Sequence, residues 1–156
     1  MTTDTIEQET VSAMEIVKSV EIAAPIEIAF EAVLEEIGPE AQMPDGKSLS
    51  LKLEPWPGGR WFRDLGNDTG HLWGHVQVIK PPTLLEICGP MAMSYAATNH
   101  IQYSLKADDG RTHLTLHHRA MGMIPQEHRD GMPEGWEQWL GEIRDLAERK
   151  VRNRGK

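Results

Sequence analysis

The sequence predicts an α+β fold in which a curved antiparallel sheet wraps around one long C-terminal helix. Strand-length apolar runs follow one another from Leu49 to Met121 with turn residues between them, the pattern of an antiparallel meander. Near the end, Trp136, Trp139, Leu140, Ile143, Leu146 and Ala147 form one broad apolar stripe at helical spacing. A sheet with one apolar face needs a partner, and that helix is the only long one the pattern offers.

Residues 1–13 read as a frayed tail, and residues 14–152 as a single domain, since 156 residues suit one core. From Glu15, the apolar positions Ile16, Val20 and Ile22 alternate with more polar ones, which predicts a first strand buried on one side. Ala24-Pro25 then opens a short helix carrying Ile26, Ala29, Phe30, Val33, Leu34 and Ile37, and Gly38-Pro39 ends it. Four strands are expected next, over 49–53, 60–65, 71–80 and 84–88, with a hairpin turn at Asn67-Asp68-Thr69-Gly70. Gly58-Gly59 marks a sharp turn before one of them, and Pro81-Pro82 stops another, because proline has no N–H to give to a ladder.

The last hairpin is the most closely specified. A two-residue turn at Asp109-Gly110 pairs Ile101 with His118, Tyr103 with Leu116 and Leu105 with Leu114 on one face. The opposite face then receives His100, Gln102, Ser104, His113, Thr115, His117 and Arg119. His118 is the exception on the apolar side. Beyond Pro125, a charged stretch over 127–130 is expected as a turn or short helix before Pro133, and the long helix runs from Glu134 to Arg152, about 28 Å at 1.5 Å per residue.

Composition narrows the function classes. With 39% hydrophobic and 26% charged residues the chain is an ordinary globular protein, and no apolar run approaches the roughly 18 residues of a membrane span. The polar N-terminus lacks the pattern of a secretory signal, so the expected location is cytoplasmic. One cysteine, Cys88, excludes an internal disulfide and a multi-thiolate metal site. A net charge of −8 argues against nucleic acid as the partner. The last eight residues hold five of the sixteen basic residues and no acid, leaving eleven basic against twenty-four acidic residues, −13, on the rest. A basic helix end of this kind complements the macrodipole.

The pairs His71/His75 and His113/His117 have zinc-like spacing for a helix, yet on strands four residues span about 13 Å, too far to share an ion. No metal and no cofactor are expected: there is no phosphate-binding glycine loop and no dinucleotide fingerprint. Glu35, Glu36 and Glu40 read as the solvated side of the first helix. Methionines at 91, 93, 121, 123 and 132 flank the last hairpin, and thioethers adapt to varied apolar shapes, as at a cavity mouth. Trp61 and Trp73 read as core or rim, and Trp56, between two prolines, as exposed.

The order of these elements, with Ala24-Pro25, Glu54-Pro55 before Gly58-Gly59, Gly74 and Val76 leading to Pro81-Pro82, and Gly135-Trp136 at the last helix, resembles the bacterial proteins related to the C-terminal domain of the activator of heat-shock protein 90 ATPase. These belong to the START-like, or SRPBCC, superfamily with its helix-grip fold. The resemblance implies a cavity between sheet and helix suited to a small apolar molecule, but no particular reaction, because the superfamily houses lipid binders, receptors, cyclases and co-chaperone domains. Phe30 stands where relatives often have tryptophan.

The expected function is therefore binding of a small hydrophobic or amphipathic ligand, with His118 and Tyr103 orienting it and Ile101, Met123, Trp136 and Trp139 lining its cavity. No catalytic residue is assigned. A co-chaperone-like module that meets a protein partner is the alternative, and an enzyme using His118 as base is the third reading.

Overall fold

In the computed structural model, which describes residues 5–155, Asp109 and Gly110 both take left-handed backbone angles, φ 52° and 80°. That is the geometry of a two-residue type I′ turn. It sets the expected register: Ile101 lies opposite His118, Tyr103 opposite Leu116 and Leu105 opposite Leu114. All six side chains are buried, while His113 and Arg119 on the other face are exposed or half-exposed. Asn67 and Asp68, φ 53° and 57°, make a second turn of the same kind.

The elements run β1 (Ser12–Ile22), α1 (Ile26–Glu36), β2 (Leu51–Leu53), β3 (Arg60–Gly66), β4 (Thr69–Lys80), β5 (Leu84–Gly89), β6 (Ala97–Asp108), β7 (Arg111–Gly122) and α2 (Gln126–Arg154). Seven antiparallel strands form one curved, unclosed sheet in the order β1-β7-β6-β5-β4-β3-β2. The first strand starts at Ser12, inside the expected tail, because its pairing with β7 extends to Gly122. Residues 1–4 of that tail and Lys156 lie outside the described residues.

Each glycine of the Gly58-Gly59 pair answers a different constraint. Gly58 sits at φ +83°, open to glycine without penalty. At Gly59 the obstacle is contact: an added Cβ would lie 1.9 Å from the Glu54 carbonyl oxygen. The pair then bonds to β4, with the Gly58 N–H donating to Val76 O and the Val76 N–H to Gly59 O, both at 2.8 Å. Arg60 closes the loop by gripping the Glu54 carboxylate through Nε and its terminal nitrogen at 2.9 and 2.8 Å.

The long helix departs from expectation. It begins at Gln126, eight residues early, and runs through Pro133 without a break. Proline there removes one N–H that would have bonded the carbonyl four residues back. The neighbouring turn is largely solvent-exposed, so water can serve that carbonyl. Side-chain bonds reinforce the turn, from Gln126 to Asp130 at 2.7 Å and from Arg129 to Gln126 at 2.6 Å. The charged 127–130 stretch thus belongs to the helix's first turn.

On α2, Trp136, Leu140, Ile143, Leu146 and Ala147 are buried in one cluster with the inner face of the sheet and with Phe30 and Val33 of α1. The basic helix end does more than complement the macrodipole. Lys150 donates to Glu35 at 2.8 Å and Arg154 to Glu31 at 3.0 Å, tying the end of α2 to α1. Glu36, expected on the solvated side of α1, is instead only 8% exposed. Cys88 is half-buried. No helix among the described residues is long and apolar enough to cross a membrane.

Candidate functional site

His118 is fully buried and both of its ring nitrogens are engaged. Trp136 can only donate through its indole N–H, and it reaches His118 Nδ1 at 2.9 Å. The ring proton must therefore sit on Nε2, which donates to Asn99 Oδ1 at 2.7 Å. Asn99 passes the relay on by donating to the Gly89 carbonyl at 3.0 Å. Burial holds the imidazole well below its ordinary range, at about 4. This is a neutral, tautomer-locked histidine with no free lone pair.

Tyr103 is also fully buried, and its hydroxyl has no hydrogen-bond partner among the described residues. Burial pushes its phenol up from the usual range. Its ring meets Trp136 edge to face, centroids 6.3 Å apart. From there an aromatic run crosses the molecule: Trp136 stacks on Trp139 at 5.4 Å, Trp139 lies 6.3 Å from Trp61, and Trp61 meets Trp73 at 5.1 Å. Two of these indoles are satisfied by backbone carbonyls, Trp61 by Ile37 at 2.7 Å and Trp139 by Glu36 at 3.1 Å. Trp73 Nε1 is buried without a partner among the described residues.

Open space lies along α2. A groove of about 360 Å³ is lined by Met91, Met93, Met132, Trp136 and Trp139, with His118, Ala92, Glu127, His128, Gly131 and Gly135 completing its walls. Gly131 and Gly135 matter by what they lack: a Cβ added at either position would meet nothing within 4 Å. At these two positions the helix presents only backbone to the groove. The volume falls at the lower end of the range for small-molecule sites.

Of the residues expected to line a cavity, His118, Trp136 and Trp139 come together here. Ile101 and Tyr103 do not border the groove; they are 1% and 0% exposed, packed in the core. Met123 lies outside it as well, half-buried, with its backbone N–H bonded to Ala96 O at 2.8 Å. The arrangement has a simple cause. Large side chains on the apolar stripe of α2 fill the space between helix and sheet, so the concavity lies beside the helix's N-terminal half.

The outward histidines pair with carboxylates across strands, His113 with Glu21, His117 with Glu15 and His100 with Glu86. Among the described residues no group of three or more His, Cys, Asp or Glu is placed to hold a metal ion.

A family model described as Activator of Hsp90 ATPase homolog 1-like protein matches residues 23–148. The chain belongs to that family. All the groove residues fall within the matched segment. No curated protein matches the sequence. Its START-like fold is shared by solved structures of low identity. An uncharacterised protein from Rhizobium leguminosarum is 19% identical with a TM-score of 0.68, covering 90% of this chain and 99% of that one. The Mll3558 protein from Rhizobium loti is 16% identical with a TM-score of 0.69, covering 88% and 99%. A protein of unknown function from Staphylococcus aureus is 12% identical with a TM-score of 0.67, covering 91% and 98%. At such identities the likeness is one of fold.

In this family member, the residue that sequence reasoning missed is Asn99. The signal was present: the hairpin register places Asn99 on the same face as Ile101 and His118, two residues along the strand. Gly131 and Gly135 carried no comparable signal, since glycine in a helix reads only as a weak position.

Proposed function

We propose that this chain binds a small apolar or amphipathic molecule in the methionine-lined groove beside α2 and performs no chemistry on it. The observation that carries this reading is the groove itself: three methionines and two stacked indoles around about 360 Å³, with few polar groups. Such a site binds by burial and takes varied shapes, because thioethers re-pack at little cost. The engagement of both His118 nitrogens supports a binding role over the enzyme reading, which needed that residue as a base.

Native mass spectrometry of freshly purified protein, with organic extraction of retained material, tests the reading. A retained apolar compound that is lost in Gly131→Leu is the expected result. That substitution fills the groove from an exposed helix position while raising helix propensity, so folding is preserved. Protein that is always empty and shows no response to a panel of lipids and polycyclic compounds overturns it.

A second reading rests on Trp56, which is 55% exposed at the tip of the loop before β3. An exposed indole of this kind suits contact with a protein partner. Loss of a captured partner in Trp56→Ser, with the groove untouched, supports that module; unchanged capture removes it.

A further inference from the structure

Two further concavities adjoin the methionine groove along α2. A second concavity of about 300 Å³ shares Gly135 and Trp139 with it and continues past Trp73, Gln138 and Glu142. A third, of about 260 Å³, shares Gln42 and Glu142 with the second and ends at Glu36, Glu40, Asp145 and Arg149. The wall common to all three is one stripe of α2. Gly131, Gly135, Gln138, Glu142, Asp145 and Arg149 recur at alternating steps of four and three, the spacing of a single helix face. From Gly131 to Glu142 that stripe covers about 16 Å at 1.5 Å per residue.

The row of concavities changes character along its length. At the Gly131 end it is thioether and indole; at the far end four carboxylates stand against the single guanidinium of Arg149. Glu36 is the pointed observation there. It is 8% exposed and borders the concavity, and no hydrogen bond or ion pair engages its carboxylate among the described residues. Its neighbour Glu35, by contrast, is paired with Lys150. Its stem is covered while its carboxylate opens onto the concavity. A cation brought in by a ligand supplies what this chain does not.

We infer that the ligand is an elongated amphipathic cation, its apolar body in the methionine groove and a protonated amine at Glu36 and Glu142. This rests on the groove binding an apolar molecule, as proposed above, and adds the head group and its position. Gly131 and Gly135, consecutive on the stripe, leave room for the body at its methionine end. The net charge of −8 favours approach of a cation.

The test compares dodecylamine, dodecanol and sodium dodecanoate, each below its aggregation concentration, by tryptophan fluorescence and calorimetry on the full chain. The expected order is amine tightest, by about tenfold or more over the alcohol, with the carboxylate weakest. In Glu36→Gln combined with Glu142→Gln, the amine falls to the level of the alcohol while alcohol binding is unchanged. Should that double variant fold poorly, Glu36→Gln and Glu142→Gln are compared singly, each expected to lower the amine preference severalfold while alcohol binding holds. Gly131→Leu weakens all three ligands, separating seated amine from amine held loosely by surface acids. Equal binding of the three probes, or an amine preference unchanged when Glu36 and Glu142 are replaced, overturns the head-group assignment and leaves the groove reading standing. Binding of none of them overturns both.

Discussion

Trp136 and His118 hold each other in place: the indole N–H of one meets the only free lone pair of the other at 2.9 Å, in a fully buried position. Helix α2 and strand β7 are joined there by a polar bond inside an apolar core. Trp136→Phe keeps the ring but removes the donor, leaving His118 Nδ1 unsatisfied. A loss of about 1–3 kcal/mol in chemical denaturation is expected. Asn99→Leu removes the partner of Nε2 instead and is expected to cost a similar amount; no change in either variant would mean the relay is not formed.

The same histidine predicts acid sensitivity. Its folded value of about 4 lies below the unfolded value of 6.5, so the unfolded chain binds a proton that the folded one refuses. Stability is therefore complete above pH 6.5 and is lost as pH falls towards 4, by roughly 3 kcal/mol from this residue. Urea midpoints at pH 7 and pH 4.5 should differ accordingly, and His118→Gln should flatten that part of the profile.

Glu36 carries the opposite sign. Burial, then the charges of Glu142, Glu40 and Glu35, lift its carboxyl to about 7 against the partial relief of Arg149. Because the folded value exceeds the unfolded 4.5, its contribution is complete below pH 4.5 and is lost as pH rises through 7. Glu36→Gln is expected to raise the melting temperature at pH 8 and to change it little at pH 5. A variant less stable at pH 8 would show that the carboxylate has a partner.

Tyr103 and Trp73 both bury a polar atom with nothing to bond. Replacing such a group with an apolar one of the same shape is nearly neutral or stabilising. Tyr103→Phe should leave stability unchanged or raised by about 1 kcal/mol, whereas Tyr103→Ala should cost about 3–5 kcal/mol through the cavity it leaves. A marked loss in Tyr103→Phe would reveal a bond to the hydroxyl.

Alanine at three glycines should separate three mechanisms. Gly59→Ala drives a methyl into the Glu54 carbonyl and should prevent the loop before β3 from closing. Gly58→Ala carries only the strain of φ +83°, on the order of 1 kcal/mol. Gly131→Ala meets open space in a helix and should stabilise by about 0.5–1 kcal/mol. Thermal melts of the three variants check the order.

The sheet was legible because its signals are local and agree with one another. Asp109-Gly110 set a turn, the turn set a register, and the register sorted apolar from polar along both strands. That logic reached His118 and would have reached Asn99. It did not reach the groove, whose walls come from the Met91–Met93 loop, β7 and the N-terminal half of α2, which no short-range pattern links. Pro133 hid the first two turns of that helix, since its cost in an isolated helix says nothing of a turn secured by Gln126, Arg129 and Asp130. Ile101 and Tyr103 were placed on the correct face, but periodicity gives direction and not depth, so a packed core and a lined cavity look alike in sequence.

The pairing of β1 with β7 joins Ser12 to Gly122 and Ile22 to Thr112. A ribosome delivers these partners far apart in time. At about 5–20 residues per second, the roughly hundred residues between them take on the order of 5–20 s to make. Throughout that interval Ile16, Val20 and Ile22 have neither their neighbouring strand nor the helix that covers them. Topology thus sets the order in which the sheet can close, and a circular permutant that begins after the β3–β4 turn would place β7, α2 and β1 together in one continuous translated stretch.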